Sequence, residues 1–264
     1  YMVSGNYLKQ DGIINTSGLK RYTFRSNIDA QLSPKLKIGM SVSPSFTTER
    51  RVNSDGHWAS NGVINAALSQ APIIPIYQAD GVTYNSQASI AGAYDWAGVT
   101  NPVANITELD NTATTLRLLG NTYADLTIWK TLKYRATFGA DLNYFRQNQF
   151  QTSAIPLNQL LPPNANSGSS ATRQSINWVT SHTLGYNVSF MADHYVDALV
   201  GFEAQKNDFE SNSVNANRFP NDIVRTVNAG VIIGGSSLRD QWSLASYFAR
   251  VGYTYKDRYL VNAS

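Results

Sequence analysis

No cysteine occurs among the 264 residues, so neither disulfides nor a thiolate metal site can organise this chain. Charge is scarce too: 15% of residues are Asp, Glu, Lys or Arg, and the formal net charge is only +3. Lys and Arg are scattered singly, which leaves no electrostatic footprint for a nucleic-acid partner. Apolar runs are short. None approaches the roughly 20 residues of a membrane helix, and the densest, APIIPIY at 71–77, is broken by two prolines. The three histidines, His57, His182 and His194, stand apart, and no H-E-x-x-H or G-x-S-x-G run is present. NSDG (53–56) and TELDN (107–111) lack the ligand spacing of an EF-hand calcium loop. An enzyme therefore has no constellation to stand on, and the chain is expected to carry no catalytic residue, metal or cofactor.

What the chain does have is 15 Tyr, 10 Phe and 5 Trp among abundant Asn, Ser, Thr and Gly, the composition of a β-rich protein with long polar loops. In RYTFRSNIDAQLSPKLKIGMSVS (21–43), Tyr22, Phe24, Ile28, Ala30 and Leu32 alternate with Arg21, Thr23, Arg25, Asn27, Asp29 and Gln31. After Ser33-Pro34-Lys35 the alternation resumes, with Leu36, Ile38, Met40 and Val42 against Lys37, Gly39, Ser41 and Ser43. The same period of two returns at 132–144, 184–190, 196–205 and 245–255, over lengths that exceed an ordinary strand. Tight turns are predicted near 33–35, 130–131, 192–194 and 256–258, and long connections over 8–18, 49–113, 149–175 and 209–240. Short helices are predicted within NGVINAALSQA (61–71) and FPNDIVRTV (219–227).

This describes an all-β chain of antiparallel up-and-down hairpins, with tight turns at one end and long loops at the other. A soluble β-sandwich would bury the apolar face against a second sheet. A membrane barrel would turn it to lipid and keep the polar face wet. Repetition of the short–long rhythm favours the barrel, as do aromatics beside the tight turns (Trp129, Tyr134, Tyr195, Tyr253, Tyr255, Tyr259), placed as an interfacial girdle would be. Both ends fall inside apparent strands, so the chain is expected to be part of a longer one. A small closed outer-membrane barrel and a sandwich adhesin remain the alternatives.

The opening stretch YMVSGNYLKQDGIINTSGLKRYTFRSNIDAQLSPKLKIGMSVSPSF resembles the barrel of SusC-like (RagA-like) TonB-dependent outer-membrane transporters of the Bacteroidetes. ALSQAPIIPIYQADGVTY, LLGNTYADLTIWKTLKYRATFGADLN and the final SYFARVGYTYKDRYLVNAS follow in family order. The resemblance implies a bacterial outer-membrane barrel of about 22 strands with long extracellular loops, of which residues 1–264 are a middle part lacking the plug domain and the C-terminal strands. It implies import of oligosaccharides or peptides, a SusD-like lipoprotein partner, and energy from the TonB–ExbB–ExbD complex through missing N-terminal parts.

Candidate contact residues follow from these readings. Arg21, Arg25, Asp29, Arg117, Arg135 and Asp141 fall on the polar face, where pairing with one another, with water or with a plug is the simpler expectation and solute contact the sharper one. The segment 49–113 carries Trp58, Tyr77, Tyr84, Tyr94 and Trp96. Trp58 and Trp96 are the named candidates for stacking on a sugar ring; packing within the loop or against a partner is the alternative.

Overall fold

The computed structural model describes residues 1–58, 62–94, 99–155, 166–191 and 193–264. Its strands are β1 (Met2–Asp11), β2 (Gly18–Ser33), β3 (Leu36–Arg50), β4 (Leu109–Trp129), β5 (Leu132–Gln151), β6 (Ser167–Phe190), β7 (His194–Asn217), β8 (Val231–Tyr255) and β9 (Tyr259–Ala263). Three short helices, α1 (Val63–Ser69), α2 (Gln87–Tyr94) and α3 (Pro102–Thr107), lie in the β3–β4 connection. The nine strands form one antiparallel sheet in chain order. The tight turns fall where the sequence places them. In the three-residue β8–β9 turn Lys256 and Asp257 both have positive φ, and the Arg258 amide donates to the Tyr255 carbonyl at 3.1 Å.

The strands run further than the alternation foretells. β6 and β7 have 24 residues each and β8 has 25, so much of the loop expected over 149–175 and 209–240 is strand. The reason is chemical. Ser167–Gln174 pairs residue for residue with Glu210–Asn217, and both faces there are polar, so no period of two survives in the sequence. A membrane needs only about 9–11 residues per strand, and the remainder projects beyond it as a wet, two-sided ribbon. The helix predicted at 219–227 is absent. The Asn221 side chain accepts from the Ile223 and Val224 amides at 2.9 Å each, an alternative to helical bonding, and only a 3₁₀ turn forms at Val227–Ala229. The helix predicted at 61–71 is α1.

Buried apolar residues lie in the connections and at strand ends: Val63, Ala66, Ile90, Val99 and Ala104, with Leu109, Phe150, Ile155 and Phe219. Across the middle of the sheet the large apolar side chains are exposed, among them Ile28, Met40, Leu118 and Phe138. A sandwich would lay a second sheet over them. Among the described residues there is only this one, and its edges β1 and β9 do not pair with each other. Unpaired edges of this kind need further strands, since hydrocarbon offers open backbone groups no partner.

Candidate functional site

Directly opposed residues share a face, so the register carries each face across the sheet. Near the tight-turn end of the polar face, Asp29 stands opposite Gly39, and Gly39 opposite Tyr123. The Tyr123 hydroxyl donates to the Asp29 carboxylate across the glycine. Arg135 lies over the Tyr123 ring, 4.8 Å from its centroid, and reaches Asp125 at 3.5 Å. Higher on the same face Arg117 grips Asp141 through two bonds of 2.9 and 2.6 Å, and near the tight-turn ends of β7 and β8 Arg250 holds Asp197 at 2.9 Å. Arg21 donates to Thr47 at 3.2 Å. Thus of the six polar-face residues named from sequence, Arg21, Asp29, Arg117, Arg135 and Asp141 engage partners on the sheet itself.

One polar-face feature escaped the sequence reading. On β8 this face carries Leu238, Trp242, Leu244 and Phe248, all exposed, because WSLASYF is apolar on both sides. Phe248 lies across Gly201, where any Cβ would meet the ring.

The apolar face is bounded by aromatic rows. Towards the long loops, Tyr7, Tyr22, Phe46, Leu116 and Tyr144 stand side by side on successive strands. At the tight turns, Phe190, His194, Tyr255 and Tyr259 cluster, with His194 Nδ1 2.6 Å from the Tyr253 hydroxyl. Tyr195 is a correction to the expected girdle: it pairs with Ser189 and Thr254, so strand alternation turns it to the polar face. His182 sits within the apolar band, its ring nitrogens met by the Tyr134 hydroxyl at 2.6 Å and Thr180 Oγ1 at 3.2 Å.

Both boundaries drift the same way. Followed in register from Phe46, the upper row reaches Arg239 on β8, eight positions from Tyr247, where the continuous apolar band on that face ends. Followed from Leu36, the lower row reaches Ala249, six positions from Tyr255. Six to eight positions over five strand steps, at about 3.3 Å per residue and 4.8 Å per strand, mean a lean of roughly 40–48°. Outer-membrane strands tilt by about 35–45°. On β5 the band runs from Tyr134 to Tyr144, about 33 Å along the strand and about 25 Å in height once tilted, the height of a barrel's apolar belt.

The long connections form a tied rim. Asn101 caps α3 by accepting from the Val103 and Ala104 amides, while its amide donates to the Ile76 and Asn85 carbonyls. Thr100 donates twice to the Trp58 carbonyl, at 3.1 and 3.0 Å. Trp58 is half-buried and its ring leans on His57, 4.8 Å between centroids. Trp96 lies outside the described residues. Asp222 binds both Ser153 and Asn166, joining the β7–β8 and β5–β6 connections, and Arg225 reaches Asp110 at 3.3 Å.

Asp80-Gly81 turns the chain between Tyr77 and Tyr84, whose rings lie 5.0 Å apart. The Thr83 hydroxyl, then the Val82 and Thr83 amides, hold the Asp80 carboxyl below its usual range. A lowered folded value stabilises the turn above the ordinary Asp pKa of about 3.9, and that contribution drains away as pH falls through the folded value. Hydrogen exchange over residues 77–84 is therefore expected to rise in acid. Asp80→Ala should raise it severalfold at neutral pH; equal exchange in both proteins would remove the carboxylate's role.

No family model matches the chain. Two curated proteins of Formosa agariphila do: TonB-dependent receptor P26 is 31% identical over 267 residues, and TonB-dependent receptor P3 is 31% identical over 272. The alignments cover 99% and 98% of this chain but 25% and 26% of those proteins, so the chain spans about a quarter of the relatives it matches. Among solved structures, the RagAB peptide transporter superposes with a TM-score of 0.73 at 17% identity, over 93% of this chain and 27% of that one. The RagAB peptide importer in its closed-closed state gives 0.74 at 18% identity, over 98% and 29%. At such identities the likeness is one of fold.

Proposed function

We infer that this chain, homologous over nearly its whole length to TonB-dependent receptors, is a section of the wall of an outer-membrane importer. The observation that carries this reading is the apolar band, whose height and lean are those of a membrane-spanning barrel. The uncovered apolar face then meets lipid, the polar face lines a wet interior, and the projecting strands with their tied loops form an outer rim. Residues 1–264 supply nine strands of a wider barrel of about 22; the remaining strands and the plug come from the rest of the receptor. The wall does no covalent chemistry. It confines a solute path, and import draws on TonB–ExbB–ExbD through the plug-bearing part.

The cargo we favour is an oligosaccharide or a peptide, delivered with a SusD-like lipoprotein over the rim. Trp58, half-buried in the β3–β4 connection, would stack on a sugar ring only if its indole turns outward. Substitution of Trp58 by alanine separates cargo contact from loop packing by changing uptake without changing loop protection.

Placement is tested with single cysteines on β5 in the intact receptor. A water-soluble thiol reagent is expected to label Thr137→Cys and leave Phe138→Cys unlabelled until detergent is added. Equal labelling of both would defeat the lipid-facing assignment.

A further inference from the structure

Just above the upper aromatic row, on the lipid side of the sheet, the charge changes character. The next two rows place Lys9, Lys20, Arg50 and Arg146 outward, with Asp11 the one acid among them. Lys9 pairs with Asp11 at 3.6 Å, but among the described residues Lys20, Arg50 and Arg146 make no ion pair. On the polar face, by contrast, Arg117, Arg135 and Arg250 each hold a carboxylate. Further round the sheet, Arg239 on this same outer side is also paired, with Asp208 at 2.9 Å. On the outer side, then, three cations without an ion pair stand close together above the band on β2, β3 and β5, with Lys206 on β7 apart from them.

The place is also shaped. Lys9, Lys20 and Arg50 line a cavity of about 470 Å³, roofed by the β1–β2 connection and lined as well by the hydroxyls of Thr48 and Thr112 and by Asp11, the acid that Lys9 pairs with. Directly below Arg146 the face hollows into an apolar groove of about 260 Å³ between Leu116, Leu118, Leu142, Tyr144 and Ile176. Beneath the cavity itself stand Tyr7, Tyr22 and Phe46 of the apolar face, so cations and hydroxyls above with apolar surface below match a ligand that is anionic at one end and hydrocarbon at the other.

We propose that Lys9, Lys20 and Arg50 form a binding site for the phosphate groups of a phosphorylated glycolipid in the membrane leaflet on the long-loop side. Its acyl chains lie against the band below. Long basic side chains suit this position, because the stems stay on apolar surface while the charged heads reach the head-group layer. Attraction between such heads and anionic lipid amounts to about a fivefold gain in occupancy per charge. The site rests on the membrane placement argued above.

The test uses the intact receptor in phosphatidylcholine nanodiscs doped with a bisphosphorylated glycolipid, with retained lipid counted by native mass spectrometry. Lys9→Gln/Lys20→Gln/Arg50→Gln is expected to retain the glycolipid about a hundredfold more weakly, and Arg50→Gln alone about fivefold more weakly. Both should keep the heat-modifiable mobility of a folded barrel. Equal retention by wild type and variants would overturn the site. Displacement by inorganic phosphate at matched phosphate concentration would reassign it to the free ion and overturn the lipid proposal. Labelling of Phe138→Cys from water in the same nanodiscs would instead signal failure of the membrane placement itself.

Discussion

Ala140→Arg is expected to destabilise the barrel by about 2–4 kcal/mol, the cost of a cationic side chain at the bilayer midplane of a β-barrel. Ala140 lies on the apolar face of β5, opposite Gly120 and Trp178, within the stretch from Tyr134 to Tyr144 that spans the band. Neither aromatic row is near enough there for the guanidinium to reach water easily. Thr137→Arg, three residues earlier and on the opposite face, half-buried beside Tyr123, should cost only about 1 kcal/mol or less, the ordinary cost of a single substitution. Its neighbours are Tyr123 and Ser181, on a face already populated by arginines. Urea unfolding of the refolded receptor in lipid vesicles reads both. Similar costs at the two positions would mean that the faces do not meet different solvents. A larger cost at Thr137 would mean that the apolar face is the wet one.

What the sequence disclosed was governed by whether the two sides of a strand meet different surroundings. Where one side meets hydrocarbon and the other water, residues 21–43 and 132–144 spell out their strands and even their turn positions. Above the band both sides are wet, so Ser167–Gln174 and Glu210–Asn217 carry no alternation although they are paired throughout. Tyr195 misled for a related reason: closeness to a turn is visible in a sequence, but its face depends on the register with Ser189 and Thr254. The apolar polar-face residues of β8 were hidden because WSLASYF reads as apolar on both sides. The loop candidates were chosen by residue type alone. Trp58 proves to be anchored by Thr100, a contact 42 residues away in sequence that no local pattern could announce. The basic cluster at Lys9, Lys20 and Arg50 was missed because it is assembled from three strands and appears as scattered single charges along the chain.

Gly39→Leu is expected to cost about 1–3 kcal/mol by overpacking, and a further 0.5–1 kcal/mol or so where the cations lose the displaced ring. A Cβ at this position would fall inside the space of the Tyr123 ring and 2.7 Å from Asp29 Oδ1. The ring cannot swing aside freely: its hydroxyl is bound to Asp29, and Lys37 and Arg135 lie 5.7 and 4.8 Å from its centroid. One glycine thus lets a tyrosine on β4 lie across β3 and fasten to β2, pinning three strands near the tight-turn end where the sheet has no second layer to stiffen it. If this is what Gly39 does, removing the ring should relieve most of the strain. Gly39→Leu/Tyr123→Ala is then expected to be less destabilised than the sum of its single variants by about 1 kcal/mol or more, as residues in direct contact couple. Urea unfolding of the four proteins in lipid vesicles supplies the cycle. Additive costs would show that the glycine is needed for its own backbone or for Asp29 rather than for the ring, and the three-strand lock would have to be abandoned.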